Sequence, residues 1–460
     1  MINLSKKYLH RFIVFFWFLF LVILTWKSTP VIIDEYYSLF IAKGIPIGCL
    51  WNGEARSYIT ASDCIQTDTV GLSAHRTWSD TYSAAVKDGG NAIIYYSMAH
   101  YWTKWTGSRM GLVNSLRLLS FLFSFLTLIV LSLFLYDRFG SKGELIGSLF
   151  YISVSAPNLV FIRTYSLVVL FVTLLIVVMI KWTDNKFRRV SNSTYLLFFL
   201  VVISLPFIHF FTIHFILFGL VFLLFKWYNG FRSKQVIPAL MPFMLSIGIF
   251  CIYYLNMNSE GRLFQKQLGE WYTEVSANAS LKEYKPSIKL SLVNVIKKNS
   301  WAGARSFGLK LNQPHFKYPY YSAMHLASYV LMALFIVLLL LFGIYFFKAG
   351  ITESIHFCVY SFMAYFILLN GMSIKLGNLI IFNEQYFFIL FPIAAILFSG
   401  LFLYLSGLKP MYKRIHLFIF TVIIINALVY CFWPPEMDAD KTQIHASILK
   451  RLEYTSLSTR

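Results

Sequence analysis

Long apolar runs dominate the chain and predict its secondary structure. A run of about 18 or more apolar residues is typical of a membrane-spanning helix, since about 20 residues cross the hydrocarbon core. Many such runs occur here, separated by polar connections. We predict eleven spans, at approximately 8–27, 112–136, 144–162, 164–182, 194–209, 211–228, 236–256, 323–347, 352–373, 384–406 and 416–433. The predicted fold class is an all-α polytopic membrane protein.

The basic residues of the short connections predict the orientation. Cytoplasmic connections of membrane proteins carry an excess of lysine and arginine. The connections on the side of the N-terminus all carry such residues, and they are 137–143, 183–193, 229–235, 348–351 and 407–415. We therefore expect a cytoplasmic N-terminus, with two long loops and a tail on the outer side of the cytoplasmic membrane.

The spans and loops divide the chain into four parts. We predict an N-terminal transmembrane module, 1–256, that includes a first external loop at 28–111. A second external loop at 257–322, C-terminal transmembrane helices at 323–433 and an external tail at 434–460 follow. The first apolar run resembles a signal peptide, but no small-x-small cleavage site follows it, which predicts an uncleaved helix.

Composition excludes an ordinary soluble domain. Hydrophobic residues make up 58% of the chain and charged residues 13%, against about 25% charged residues in typical soluble domains. The net charge of +20 does not predict a nucleic-acid partner, because the basic residues are scattered among apolar segments that contact membrane lipids. Cys49 and Cys64 share the first external loop, where either a disulfide or two free thiols fits.

An acidic pair, Asp34 and Glu35, follows the first span. Pro30 ends that span or stops it from continuing. Asp34 suits the N-cap of a short helix, "EYYSLFIAKG", which would end near Gly44. The cap is not the only interpretation, because a capping aspartate at the boundary between hydrocarbon and water can also face a cleft.

Two arginines and a tyrosine are candidates for binding an anion. Arg117 lies about one turn inside the second span, where a cation must snorkel, pair with an acid or face a polar cavity. Arg163 lies in a very short external connection and could hold a phosphate through a bidentate fork, or bind lipid headgroups. Tyr165 could donate its hydroxyl to the same anion or belong to the aromatic belt.

Three further polar clusters fall near predicted external turns. Asp88 to Asn91 predict a turn before "GNAIIYYSMAHYWTKW", which suits a helix at the membrane interface. Glu384 lies among the polar residues that open the tenth span, where caps and anchors are common. His209 and His214 could ligate a metal, although a histidine pair without a nearby carboxylate is more often interfacial.

On the predicted topology these candidates lie near one membrane surface. Asp34, Glu35, Asp88, Arg163 and Glu384 are placed at the external surface, and the inner surface has basic anchors and little else. This asymmetry favours chemistry at the outer leaflet over transport through the middle of the membrane.

The order of these motifs resembles the C-type (GT-C) glycosyltransferases, within them the bacterial family that includes protein O-mannosyltransferases and the lipid A aminoarabinose transferase. The shared features are the "DE" of Asp34 and Glu35, the "DGGNAIIYY" segment, "LRLLS" at Leu116–Ser120 and the Arg-x-Tyr of "FIRTYSL". They cover about the first 180 residues in order. Relatives have "PPLYY" in the second motif and often Arg-Tyr where this chain has Gln385-Tyr386, and the loop 257–322 matches no pattern.

The resemblance implies a GT-C-like fold and an inverting transfer of sugar from a polyprenyl-phosphate donor to an acceptor hydroxyl. It assigns the catalytic residues to Asp34 and Glu35, with Asp34 as general base. Glu35 would orient a side chain, hold a metal with Asp88, or cap. Donor phosphate would be bound by Arg163, Tyr165 and Arg117, and the acceptor or a metal by Asp88, Asn91 and Glu384.

The acceptor is a protein, a lipid or a glycan, and dependence on a divalent metal ion is left open because relatives differ. Two other functions fit the same topology. One is a polysaccharide polymerase or ligase that consumes a lipid diphosphate-linked glycan. The other is a lipid or solute transporter, which usually shows repeated halves and broken midplane helices; the sequence shows neither.

Overall fold

The computed structural model describes residues 2–28, 33–44, 77–87, 90–159, 164–184, 191–228, 233–257, 353–376 and 384–407, with scattered positions beyond. The described residues contain helices and no strand. The helices are α1 (Ile2–Ser28), α2 (Ile33–Ala42), α3 (Trp78–Lys87), α4 (Ile93–Met110), α5 (Leu112–Leu159), α6 (Tyr165–Asp184), α7 (Asn192–Ile208), α8 (Ile213–Tyr228), α9 (Ser233–Asn256), α10 (Glu353–Leu376) and α11 (Phe391–Ser406). Two 3₁₀ segments, Phe210–Thr212 and Glu384–Leu390, precede α8 and α11.

Several of these helices are suited to a membrane. Within the described residues five are long and apolar enough to cross one, at Leu112–Ser155, Tyr165–Asp184, Phe210–Tyr228, Val236–Asn256 and Phe387–Tyr404. The protein is therefore a helical membrane protein. Every predicted span between 8–27 and 236–256, and those at 352–373 and 384–406, coincides with a helix. The span at 323–347, the loop 257–322 beyond Met257, the tail 434–460, Cys49 and Cys64 lie outside the described residues, as does most of 416–433.

Helix α5 is a hairpin of two antiparallel arms. Its 48 residues would measure about 72 Å if straight, more than twice the roughly 30 Å of a hydrocarbon core. Gly140 interrupts the helix with φ 70° and ψ −173°. Ser132 donates a hydrogen bond of 2.6 Å to Glu144 Oε1, although twelve residues of straight helix would separate them by about 18 Å. The predicted connection 137–143 is therefore shorter than expected, since a single glycine with positive φ reverses the chain.

One end of the bundle is defined by ion pairs and is called the Arg11 end. Arg11 Nε donates to Glu144 Oε1 at 3.0 Å, which joins the start of α1 to the second arm of α5. Arg138 pairs with Asp184 at 2.8 Å, which joins the α5 turn to the end of α6. The first half of α1, the α5 turn and the end of α6 thus lie at the same end, as the predicted topology requires. That this end faces the cytoplasm stays a prediction.

The opposite end is called the Glu35 end. Trp26, about 22 Å along α1 from Arg11, donates its indole N–H to Asn114 Oδ1 at 3.2 Å. Tyr253, near the end of α9, donates its hydroxyl to the carbonyl of Gly90 at 3.3 Å. The start of α5, the turn at Gly90 and the end of α9 lie here, and several of the candidate motifs belong to these parts of the chain.

Close packing of α11 against α5 holds the core between the two ends. The rings of Phe150 and Phe398 stack with centroids 4.4 Å apart. Ser399 donates its hydroxyl to the carbonyl of Gly143 at 3.1 Å. A Cβ at Gly147 would lie 2.0 Å from Ser399 Oγ, so only glycine permits this approach of the two helices.

Candidate functional site

Helix α2 carries the acidic pair. It begins at Ile33, so Asp34 lies in its first turn and the predicted N-cap position is wrong by two residues. Gly44, with φ 75°, follows its last turn as expected, and a Cβ there would lie 2.7 Å from Asp80 Cβ. The structure describes the helical backbone of Asp34 but not its side chain.

Glu35 and Arg117 form a buried ion pair. Arg117 Nε donates to Glu35 Oε1 at 3.1 Å, and one terminal nitrogen donates to Oε2 at 2.9 Å. Glu35 is 0% exposed and Arg117 is 4% exposed. A bidentate, charge-assisted geometry is the arrangement that best offsets the desolvation of two buried charges. The sequence predicts that a cation inside the second span snorkels, pairs with an acid or faces a polar cavity, and Arg117 pairs with an acid.

The pair anchors α2 to the first arm of α5. Because both oxygens of Glu35 are engaged, the rotation of α2 about its own axis is constrained, and with it the position of Asp34 one residue earlier. Among the roles considered for Glu35, orienting a side chain is the one that this contact performs. A catalytic role for Glu35 and phosphate binding by Arg117 stay predictions, and a phosphate would have to share the guanidinium with Glu35.

The turn after α3 is tied to two other helices. Gly90 and Ala92 have φ of 72° and 61°, and Asn91 between them accepts a hydrogen bond from the backbone N–H of Phe210 at 3.1 Å. A Cβ at Gly90 would lie 2.5 Å from the Tyr253 hydroxyl. The predicted turn is confirmed at Gly90 and Asn91, the part of it that the structure describes, and the helix after it is confirmed. Asp88 lies outside the described residues, so a site formed by Asp88 and Asn91 is still a prediction.

Tyr165 links two of the predicted motifs. Its ring lies 5.2 Å from the ring of His209 and 5.9 Å from that of Phe388, between centroids. Phe388 belongs to the 3₁₀ segment that begins at Glu384, so the segment after Arg163 adjoins the segment that opens the predicted tenth span. Arg163 lies outside the described residues, and the side chain of Glu384 is not described.

His209 is buried and stabilises the local backbone. It is 4% exposed, and its Nδ1 accepts the backbone N–H of Phe211 at 3.2 Å. The hydrogen-bond pattern therefore places the proton of neutral His209 on Nε2. His214 follows the intervening 3₁₀ turn, so the two histidines are not neighbours on one helix. No group of three histidine, cysteine or acidic side chains suited to a metal occurs in the part of the chain that the structure describes.

A third contact joins α2, α3 and α4, and the sequence offered no signal for it. The Thr81 hydroxyl lies 2.9 Å from His100 Nδ1 and 3.2 Å from the carbonyl oxygen of Ala42. Burial lowers the pKa of His100, two nearby lysines lower it further, and the Ala42 carbonyl and Asp80 oppose them. His100 is therefore neutral at pH 7 and acts as a hydrogen-bonding link between the three helices.

The structure thus brings the described parts of the candidate motifs to the Glu35 end. A short acidic helix, a rigid turn and an aromatic cluster lie there at one end of an apolar bundle. Groups of this kind can serve proton transfer and anion binding at a lipid headgroup. No known protein family and no curated protein matches the chain. The fold and the site define the protein as a helical membrane protein with polar groups at the Glu35 end, where a buried ion pair holds α2 against α5.

Proposed function

We propose that the protein is a membrane glycosyltransferase with a GT-C-like fold of eleven spans in the cytoplasmic membrane. Its N-terminus faces the cytoplasm, and it transfers sugar from a polyprenyl phosphate at the outer face. The buried pair of Glu35 and Arg117 carries the proposal. It joins two motifs of the sequence resemblance, 82 residues apart, at the end of the bundle opposite Arg11.

The proposed reaction is a single displacement. The acceptor hydroxyl oxygen bonds to the anomeric carbon while the bond from that carbon to the phosphate oxygen breaks, which inverts the configuration. The bonding electrons leave with polyprenyl phosphate, and Asp34 takes the hydroxyl proton as general base. Arg163, with Tyr165, stabilises the charge that grows on the phosphate. Glu35 supports this chemistry by holding Arg117 and thereby α2.

The location of the candidate residues supports this donor. The reactive carbon of a polyprenyl-phosphate sugar is one phosphate away from its lipid tail, so a base and a cation must lie where hydrocarbon meets water. The Glu35 end combines polar contacts with helices apolar enough to span a membrane. Asp88, Asn91 and Glu384 are assigned to the acceptor, or to a divalent ion, and the acceptor is a protein, lipid or glycan.

A deletion strain tests the function. We expect mass spectrometry to show one sugar missing from the envelope glycans, relative to the parent strain, and its polyprenyl-monophosphate donor accumulated in the lipid extract. Accumulation of a diphosphate-linked oligosaccharide instead would indicate the polymerase or ligase. Unchanged glycans, together with flux of a labelled substrate in proteoliposomes, would indicate the transporter.

Substituting Arg163 tests donor binding. Arg163→Ala should lower kcat/KM for the donor about 100-fold, because a fixed cation no longer stabilises the leaving phosphate. Arg109→Ala is the matched control, since Arg109 is exposed in the last turn of α4 and lies outside the proposed site. Equal losses in the two variants, or unchanged donor kinetics for Arg163→Ala, would remove Arg163 from the site.

A further inference from the structure

The second arm of α5 carries a row of polar residues along one face. Glu144, Ser148, Tyr151 and Ser155 follow the spacing i, i+4, i+7 and i+11. At 100° per residue these positions fall within about 60° of one another. Their exposures range from 0% to 2%. A buried polar row in an apolar helix of membrane-spanning length needs a physical explanation.

The first arm carries a matching row. Ser120, Ser124 and Thr127 are separated by four and three residues and are all 0% exposed. The hydrogen bond from Ser132 to Glu144 sets the register between the antiparallel arms, and Thr127 is a polar neighbour of the Tyr151 hydroxyl. The two rows therefore face each other. We call them together the hydroxyl seam, formed by Ser120, Ser124, Thr127, Ser148, Tyr151 and Ser155.

Several polar atoms of the seam, and one of Glu144 at its end, are buried without a hydrogen bond to any residue that the structure describes. Thr127 and Ser155 donate to carbonyls of their own arm, at Phe123 and Tyr151. Three other hydroxyls and one carboxylate oxygen have no hydrogen-bond partner among the described residues; they are Ser120 Oγ, Ser124 Oγ, Ser148 Oγ and Glu144 Oε2. The Tyr151 hydroxyl lies beside the hydroxyls of Thr127 and Ser155. Burying a polar group without any hydrogen bond costs free energy. Water is the usual partner of buried polar atoms that have no hydrogen bond to the protein.

The seam runs between two ion pairs. Arg117, held by Glu35, lies one turn before Ser120 on the same arm. At the other end Glu144 Oε1 accepts from Arg11 and Ser132, while Glu144 Oε2 has no hydrogen-bond partner among the described residues. The unsatisfied hydroxyls thus lie along the path from one buried carboxylate to the other.

We propose that the α5 hairpin encloses a file of bound water molecules along the hydroxyl seam, between Glu144 and the pair of Glu35 and Arg117. Each water accepts from a seam hydroxyl or donates to Glu144 Oε2. The file makes the centre of the hairpin polar at membrane depth, while its outer face, with Leu126 and Leu133 exposed, remains apolar. This inference does not depend on the proposed glycosyltransferase activity.

Hydroxyl-radical footprinting of the full chain in lipid nanodiscs tests the file. Radicals generated from bound water by an X-ray pulse modify adjacent side chains, which mass spectrometry locates. Tyr151 should be modified several-fold faster than Tyr365, the matched control. Tyr365 is equally buried, at 2% exposure, but packs on the ring of Phe215 at 5.4 Å between centroids. Equal rates for the two tyrosines would overturn the proposal.

A double variant tests whether the water follows the seam. Ser124→Ala with Ser148→Ala removes two of the proposed partners while changing little volume, and should reduce modification of Tyr151 several-fold. Ser246→Ala is the control, since Ser246 Oγ donates to the carbonyl of Val202 on a different helix, and it should leave Tyr151 unchanged. Modification of Tyr151 that persists in a folded double variant, judged by an unchanged thermal midpoint, would contradict the file.

Discussion

Arg117→Ala is expected to lower the free energy of unfolding by about 3 to 5 kcal/mol, because it leaves the Glu35 carboxylate buried without its guanidinium partner. Glu35→Ala should cost a similar amount for the converse reason. Arg117→Lys keeps the charge but loses the bidentate geometry, so its loss should be intermediate. Reversible denaturation in detergent, followed by circular dichroism, measures all three.

The protein contains a suitable control for this prediction. Arg138 pairs with Asp184 at 2.8 Å, but the two side chains are 25% and 28% exposed. Breaking a pair in contact with water typically costs about 1 kcal/mol or less, so Arg138→Ala should have a small effect. If Arg138→Ala lost as much free energy of unfolding as Arg117→Ala, the burial of Glu35 would not explain the cost of breaking its pair with Arg117.

A double variant distinguishes the attraction between Glu35 and Arg117 from the cost of leaving one of these charges buried alone. Glu35→Leu with Arg117→Met replaces both charges by apolar side chains of similar size, and such replacements are often nearly neutral. The double variant should therefore be more stable than either alanine variant. Additive losses would show that the two side chains act independently, contrary to the contact between them.

The arrangement of the membrane helices could largely be predicted from the sequence. Apolar runs of sufficient length coincide with helices wherever the structure describes them. The basic connections predicted a common side for the N-terminus and residues 137–143, and the pairs of Arg11 with Glu144 and Arg138 with Asp184 join these segments. Length and charge are properties of short segments, so a single sequence reports them directly.

The partners within the site could not be predicted. The position of Arg117 inside the second predicted span allowed snorkelling, pairing or a polar cavity, and nothing near it in the sequence identifies Glu35, 82 residues away. The bond from Phe210 to Asn91 spans 119 residues and likewise depends on how helices pack. The two-residue error at Asp34 has a local cause, since acidic residues are favourable both as N-caps and in the first helical turn.

The hydroxyl seam could be predicted only in part from the sequence. The serines and tyrosine of "GELIGSLFYISVS" recur at helical spacing after Glu144, which is a readable signal of a polar face. Its meaning depended on the partner, because a polar face can meet water, lipid headgroups or another helix. Only the fold of α5 back on itself, through Gly140, brings a second polar row against the first.

Asp34→Asn is expected to reduce sugar transfer by about 10² to 10⁴-fold, the contribution typical of a general base. Asparagine is nearly isosteric with aspartate but cannot accept the hydroxyl proton, so the fold should be retained. Because Asp34 lies next to Glu35 in α2, the thermal midpoint of the variant reports whether the Glu35–Arg117 pair is intact. An unchanged midpoint with lost transfer would assign the defect to chemistry.

Asp137→Asn is the control for this substitution. Asp137 is 68% exposed and pairs with Lys181 at the Arg11 end, so the same chemical change there should leave transfer unaffected. Transfer is measured by mass spectrometry with membranes that contain equal amounts of each variant, at saturating donor, which separates the chemical step from donor binding. Substantial transfer by Asp34→Asn under these conditions would exclude Asp34 as the base, and the role would then have to pass to another acid at the Glu35 end.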